Sequence, residues 1–130
     1  LPLPFLRGSS MLGININCKH QDFIAQILSG EKIIETRNTP SLNPYIGQKI
    51  GLIRTGQGKA TLEGYATIKG TILYKNSVCF DFHYDLHRVD SNSPYYIKDN
   101  GVKIGYLLKD VEAIKPQLVS SRGIIARQIG

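Results

Sequence analysis

Cysteine is scarce in this chain. Cys18 and Cys79 are the only two in 130 residues, and they form neither a CxxC pair nor a metal-type spacing. That excludes a disulfide scaffold or a cysteine-ligated zinc module. It is consistent with two free thiols in a reducing, cytoplasmic compartment, with a single disulfide as the alternative. Long apolar runs are also missing. None approaches the roughly 18 residues that would span a membrane, so no membrane partner is expected. There is no dense Lys/Arg run, no RNP1-type aromatic run, no repeat, no linker and no low-complexity tract. No cofactor and no metal are expected. What remains is an ordinary globular composition. At 42% hydrophobic the chain is not disordered, and its length suits one domain with a packed core.

Acidic residues are the minority charge. Sixteen Lys and Arg against ten Asp and Glu give a formal net charge of +6. Such a surplus favours an anionic partner, with nucleic acid the first candidate; a merely basic surface is the alternative. The first ten residues, LPLPFLRGSS, carry their positive charge after a short apolar part, which fits a signal peptide poorly. Residues 1–10 are expected to be an added or processed leader, with the natural start at Met11 and a single domain over 11–130.

Ile14-Asn15-Ile16-Asn17-Cys18 alternates as a first strand. Residues 21–29 switch period: Phe23, Ile24, Ile27 and Leu28 form one helical stripe, with Asp22 or a neighbour as cap and Gly30 as a left-handed stop. Residues 33–37 form a short strand, followed by a Pro/Asn loop and a strand over Lys49–Thr55. The longest period-2 run extends from Leu62 to Tyr74, with Gly64 and Gly70 marking bends or bulges. Residues 80–89 (FDFHYDLHRV) fit helix and strand equally. A further strand from Ile104 has a phase break near Asp110 and is expected to end at Pro116, before a last strand from Gly123 to Ile129. The sum is an α+β domain: a small β-barrel of about six strands with one or two flanking helices.

The densest charge lies in Gly30-Glu31-Lys32-Ile33-Ile34-Glu35-Thr36-Arg37, at the helix-to-strand junction. On a strand Glu35 and Arg37 share a face and can pair. Lys32 sits in the turn. Beside a carboxylate in a cleft it can hold an anionic oxygen or, with its pKa lowered by burial, serve as base or nucleophile. A solvated Arg–Glu hairpin edge is the plain alternative. His20 and Gln21 precede the helix, where capping competes with ligand binding. Arg122, with Ser120 and Ser121, precedes the last strand and could reach the cleft mouth, or simply form a polar turn. Among the tyrosines, Tyr45 is favoured for stacking on a base because it follows the loop beside the charged stretch. His83 and His87 stand i, i+4, but Tyr84 occupies the position of the Glu in HExxH, so an amphipathic lid segment is expected there and no metal site.

Gly30-x-Lys32-x-x-Glu35-x-Arg37 after a strand and a short helix resembles the signature of the ASCH domain, in the PUA-like β-barrel superfamily. Lys103-Ile104-Gly105-Tyr106-Leu107-Leu108-Lys109-Asp110-Val111 with Pro116 resembles that family's penultimate strand. Ser121-Arg122-Gly123-Ile124-Ile125 resembles its terminal strand, so the likeness spans about residues 13–129. The resemblance implies a cleft beside the first helix, lined by the signature, and an RNA, nucleotide or nucleoside partner. It also implies possible hydrolysis: relatives include N4-acetylcytidine hydrolases and a described ribonuclease. The acetylcytidine hydrolases use a Lys, a Thr three residues later and a downstream Glu. Here Lys32 matches, Glu35 replaces the Thr, Thr36 is one residue out of register, and Glu63 and Glu112 are the downstream candidates. The expected function is therefore RNA or nucleotide binding at Lys32, Glu35 and Arg37. The alternatives are a metal-independent ribonuclease or amidohydrolase using Lys32 and Glu35, and a coactivator-like protein-interaction domain.

Overall fold

A computed structural model of the protein describes residues 11–123 and 126–129; the leader expected at 1–10 lies outside the described residues. The elements are β1 (Leu12–Asn17), α1 (Phe23–Ser29), β2 (Ile34–Arg37), a 3-10 turn (Asn43–Tyr45), β3 (Lys49–Thr55) and β4 (Thr61–Tyr74). Then follow α2 (Ser77–Phe82), α3 (Tyr84–His87), β5 (Lys103–Leu118) and β6 (Ala126–Gln128). Of the last strand expected from Gly123 to Ile129, residues 124 and 125 lie outside the described residues.

α1 forms as its stripe predicts. Phe23, Ile24 and Ile27 are buried, the Asp22 carboxylate accepts from the Ala25 N–H at 3.0 Å, and Gly30 ends the helix at φ 85°. Only a residue without Cβ adopts that conformation at little cost. β4 is equally legible, with Leu62, Gly64, Ala66 and Ile68 facing the core in strict alternation. Gly64 has a second reason to be glycine: a Cβ there would stand 2.5 Å from the Glu112 carbonyl oxygen on β5.

The strands form one mixed sheet in the order β2-β5-β4-β3-β1-β6, with β1 and β3 parallel and the other pairs antiparallel. The expected closed barrel is not formed: among the described residues β2 ladders only to β5. The sheet nevertheless curls. The β4–β5 ladder shifts register three times, at Leu62/Gly64, Tyr65/Thr67 and Ile68/Gly70. Bulges of this kind increase twist and coil a sheet. The curl brings β2 back toward β1, where the Arg37 guanidinium donates to the Asn15 carbonyl at 2.8 Å. A side chain bridges a gap that no backbone ladder closes, and that gap holds the site.

Two details of β5 differ from expectation or explain it. Asp110, at the predicted phase break, has φ 52° beside the second register shift. Pro116 does not end the strand. It falls between the paired positions Ala113 and Gln117, in a register slip where its missing N–H breaks no ladder bond.

The ambiguous residues 80–89 fold into the short helices α2 and α3. Asn76 caps α2, accepting from the Cys79 N–H at 2.9 Å. Phe80 is buried, stacks on His87 with ring centroids 3.9 Å apart and meets Tyr74 edge-on. His87 donates from Nε2 to the Phe80 carbonyl at 2.7 Å and accepts at Nδ1 from the Val89 N–H at 2.9 Å. Both ring nitrogens are thereby spent on backbone groups, and Phe80, His87 and Val89 anchor a segment that is otherwise largely exposed, amphipathic as expected. Cys18 and Cys79 are both free. Among the described residues no helix is long and apolar enough to cross a membrane.

Candidate functional site

The junction after α1 is held from two sides. The Lys32 backbone N–H donates to Gln26 on α1 at 2.9 Å, and the Ile33 N–H donates to Leu86 on α3 at 2.9 Å. These bonds turn the Lys32 side chain inward, where it is 1% exposed. Its ammonium donates to the His87 carbonyl at 2.6 Å, stands 3.8 Å from Glu35 Oε1 and lies 4.6 Å from the centre of the Phe23 ring. A last-turn carbonyl is a favourable acceptor, because it lacks an intrahelical partner and lies at the negative end of the helix.

Glu35 and Arg37 share a face of β2, as strand alternation requires. Arg37 donates from Nε to Glu35 Oε2 at 3.0 Å, and its terminal nitrogen lies 3.0 Å from the same oxygen. Glu35 is thus gripped by Arg37 on one oxygen and faced by Lys32 on the other. The three groups border a cleft of about 310 Å³ whose walls also include Phe23, Tyr95 and Lys103. Thr36, which alternation places on the opposite face of β2, borders the cleft as well. At that volume the cleft sits at the small end of ligand pockets.

Burial pulls the Lys32 pKa down to about 8 against the opposing pull of Glu35. Burial also brings Lys103 to about 8, with Glu35 again opposing. Two lysines near neutrality beside one carboxylate can exchange protons at ordinary pH, and in their charged forms they bind anions.

Several residues singled out in the sequence lie elsewhere. His20 is exposed and meets only the edge of Tyr95, with centroids 6.5 Å apart. Gln21 is committed to structure, donating to Gln26 and to the Arg88 carbonyl at 2.8 and 2.6 Å. Tyr45 packs against the core and does not border the cleft. Arg122 borders a different cavity, which shares only Thr55 with the first. Neither downstream carboxylate reaches the cleft: Glu63 is clamped by Arg54 at 2.8 Å, and Glu112 pairs with Lys49 at 3.6 Å. Conversely, sequence reasoning missed Lys103 and gave Tyr95 no preference. Lys103 directly precedes the buried run Ile104-Gly105-Tyr106, and a lysine there was the available clue.

No family model matches the sequence, and no curated protein matches it. Solved structures do. The crystal structure of ASCH from Zymomonas mobilis superposes with a TM-score of 0.67 at 20% identity, covering 82% of this chain and 71% of that one. A Tyr-to-Phe mutant of the Zymomonas mobilis protein gives 0.68 at 19% identity over 84% and 76%. A Ser-to-Ala mutant gives 0.69 at 16% identity over 92% and 88%. This chain has the ASCH-domain fold. The gap between β1 and β2, beside α1, has Lys32, Glu35 and Arg37 on its wall.

Proposed function

We infer that this ASCH-fold protein binds RNA or a nucleotide in the cleft between β1 and β2. The observation that carries the reading is the convergence of Lys32, Lys103 and Arg37 around the single carboxylate of Glu35, in a space of nucleoside size. The cations suit phosphate or carbonyl oxygens. Glu35 can accept from the exocyclic amine of a base, as carboxylates do from cytosine. Tyr95, half-buried on the cleft wall, supplies aromatic surface for the base. The chain's net charge of +6 adds long-range attraction. Titration with ribo-oligonucleotides and nucleotides at rising salt tests the reading. Binding should weaken steeply with salt, and Lys32→Ala should reduce it about tenfold or more, as loss of a charge-assisted hydrogen bond does. Absent or salt-independent binding across the panel would sink the idea.

A second reading is a hydrolase acting in the same cleft. It is favoured by the buried Lys32, whose pKa near 8 leaves about a tenth of the amine neutral at pH 7, available as a base or nucleophile. With Glu35 in place of a threonine, and with Glu63 and Glu112 outside the cleft, a metal-independent ribonuclease is preferred over an N4-acetylcytidine-type amidohydrolase. Chromatography after incubation with mixed RNA and with N4-acetylcytidine separates the two. No product above a Lys32→Ala control counts against both.

A further inference from the structure

Lys103 narrows the ligand class. It is the first residue of β5, is 3% exposed and borders the same cleft as Lys32, Glu35 and Arg37. Lys32 spends its ammonium on the His87 carbonyl and on Glu35. The Lys103 ammonium makes no hydrogen bond and no ion pair with any described residue, and it is not sealed off from the cleft. A lysine whose stem is buried and whose ammonium meets a cleft with no acceptor from the chain is free to take one from a ligand. The chain cannot supply the missing anion from nearby: Glu35 is already engaged by Arg37 and Lys32, and the exposed Lys98 adds positive charge at the same end. Three cations therefore face one carboxylate around the cleft. An uncharged nucleoside would leave that surplus in place, whereas a phosphate would neutralise it and give Lys103 its acceptor.

We propose that Lys103 is the phosphate-binding residue of this cleft, and that the cleft takes a phosphate-bearing ligand, a mononucleotide or an RNA phosphodiester, in preference to an uncharged nucleoside. The inference rests on the nucleic-acid reading of the cleft and deepens it. With the phosphate at Lys103, at the entry to β5, the Tyr95 ring is left for the base.

The test uses the full chain, Lys103→Met as a neutral variant of similar length, Lys103→Gln as a second neutral variant, and Lys103→Arg to retain the charge. Calorimetric titration compares the four ribonucleoside 5′-monophosphates with the four matching nucleosides and with short single-stranded oligoribonucleotides. The wild-type protein should bind at least one monophosphate about tenfold tighter than its nucleoside, and the neutral variants should lose that margin while keeping the nucleoside affinity. Oligonucleotides binding tighter than monophosphates would assign the site to a phosphodiester; the reverse order would assign it to a free nucleotide. Inorganic phosphate provides an arm that needs no base. It should raise the Tm of the wild type and of Lys103→Arg but not of Lys103→Met or Lys103→Gln. If phosphate acts so while no nucleoside, nucleotide or oligonucleotide binds, the nucleic-acid reading falls and the anion site stands. If phosphate leaves the wild-type Tm unchanged, or shifts the neutral variants equally, Lys103 is not the anion site.

Discussion

Among the described residues, two part-buried clusters are built on an arginine gripping a glutamate, and they differ in charge balance. In the first, Arg54 on β3 binds Glu63 on β4 through two nitrogens at 2.8 and 3.2 Å and the helix cap Asp22 at 2.8 Å, while Thr61 also donates to Glu63. Each charge has a partner, and the result holds the Glu63 carboxyl below its usual pKa, chiefly through the Arg54 hydrogen bond. In the second, Arg37 grips Glu35 and Lys32 faces its other oxygen, while Lys103 adds a further cation to the same cleft beyond ion-pair distance and with no acceptor among the described residues. The first cluster ties α1 to the sheet. The second leaves charge uncompensated inside a cleft, an expense that folding alone does not explain.

The largest expected effect breaks the balanced cluster. Arg54→Met strands Glu63 and Asp22 and should cost about 2–3 kcal/mol in urea unfolding, with ligand affinity unchanged. An equal loss of binding would mean that the two clusters are not separable. Lys32→Met is milder in stability, about 1–2 kcal/mol, because it orphans the His87 carbonyl yet removes a buried charge. Its binding defect should exceed its stability defect, the opposite of Arg54→Met.

Lys103→Met should go the other way and stabilise the unliganded protein by up to about 1 kcal/mol, since it removes a partly desolvated cation from the positive surroundings of Arg37 and Lys98. The pH dependence sharpens the point. Both buried lysines have folded pKa values near 8, below the 10.5 of the free side chain. Between those values the unfolded chain holds more protons, so stability rises with pH from about 8 upward. Tyr74, pushed up to about 12 by burial, opposes this above pH 10, because there the unfolded chain loses its phenol proton first. Denaturation at stepped pH should therefore show a rise from about pH 8 to about pH 10, and Lys103→Met should flatten it. A Lys103→Met curve identical to the wild type would place Lys103 in solvent.

Where one local pattern was enough, the structure was legible in advance. The α1 stripe with Asp22 and Gly30, the β4 alternation with its glycine bulges, and the Glu35–Arg37 pair all depend on spacing within a few residues. Residues 80–89 were not legible, because their apolar positions fit both periods until Phe80 and His87 stack on each other and meet Tyr74 edge-on. Pro116 misled because a proline breaks a strand only where its N–H is needed, and that depends on the partner strand's register.

The sequence by itself determined α1, the core of the strands, the turn that carries Lys32 and the common face of Glu35 and Arg37, because helical and strand periodicity are local properties. Only the tertiary structure decided that the sheet curls without closing, that Tyr95 and Lys103 join the cleft, and that His20, Gln21, Tyr45 and Arg122 do not. Lys103 stands 71 residues beyond Lys32 along the chain. What joins them is the β2–β5 pairing and the curl of the sheet, and neither leaves a mark in the spacing of residues along the chain.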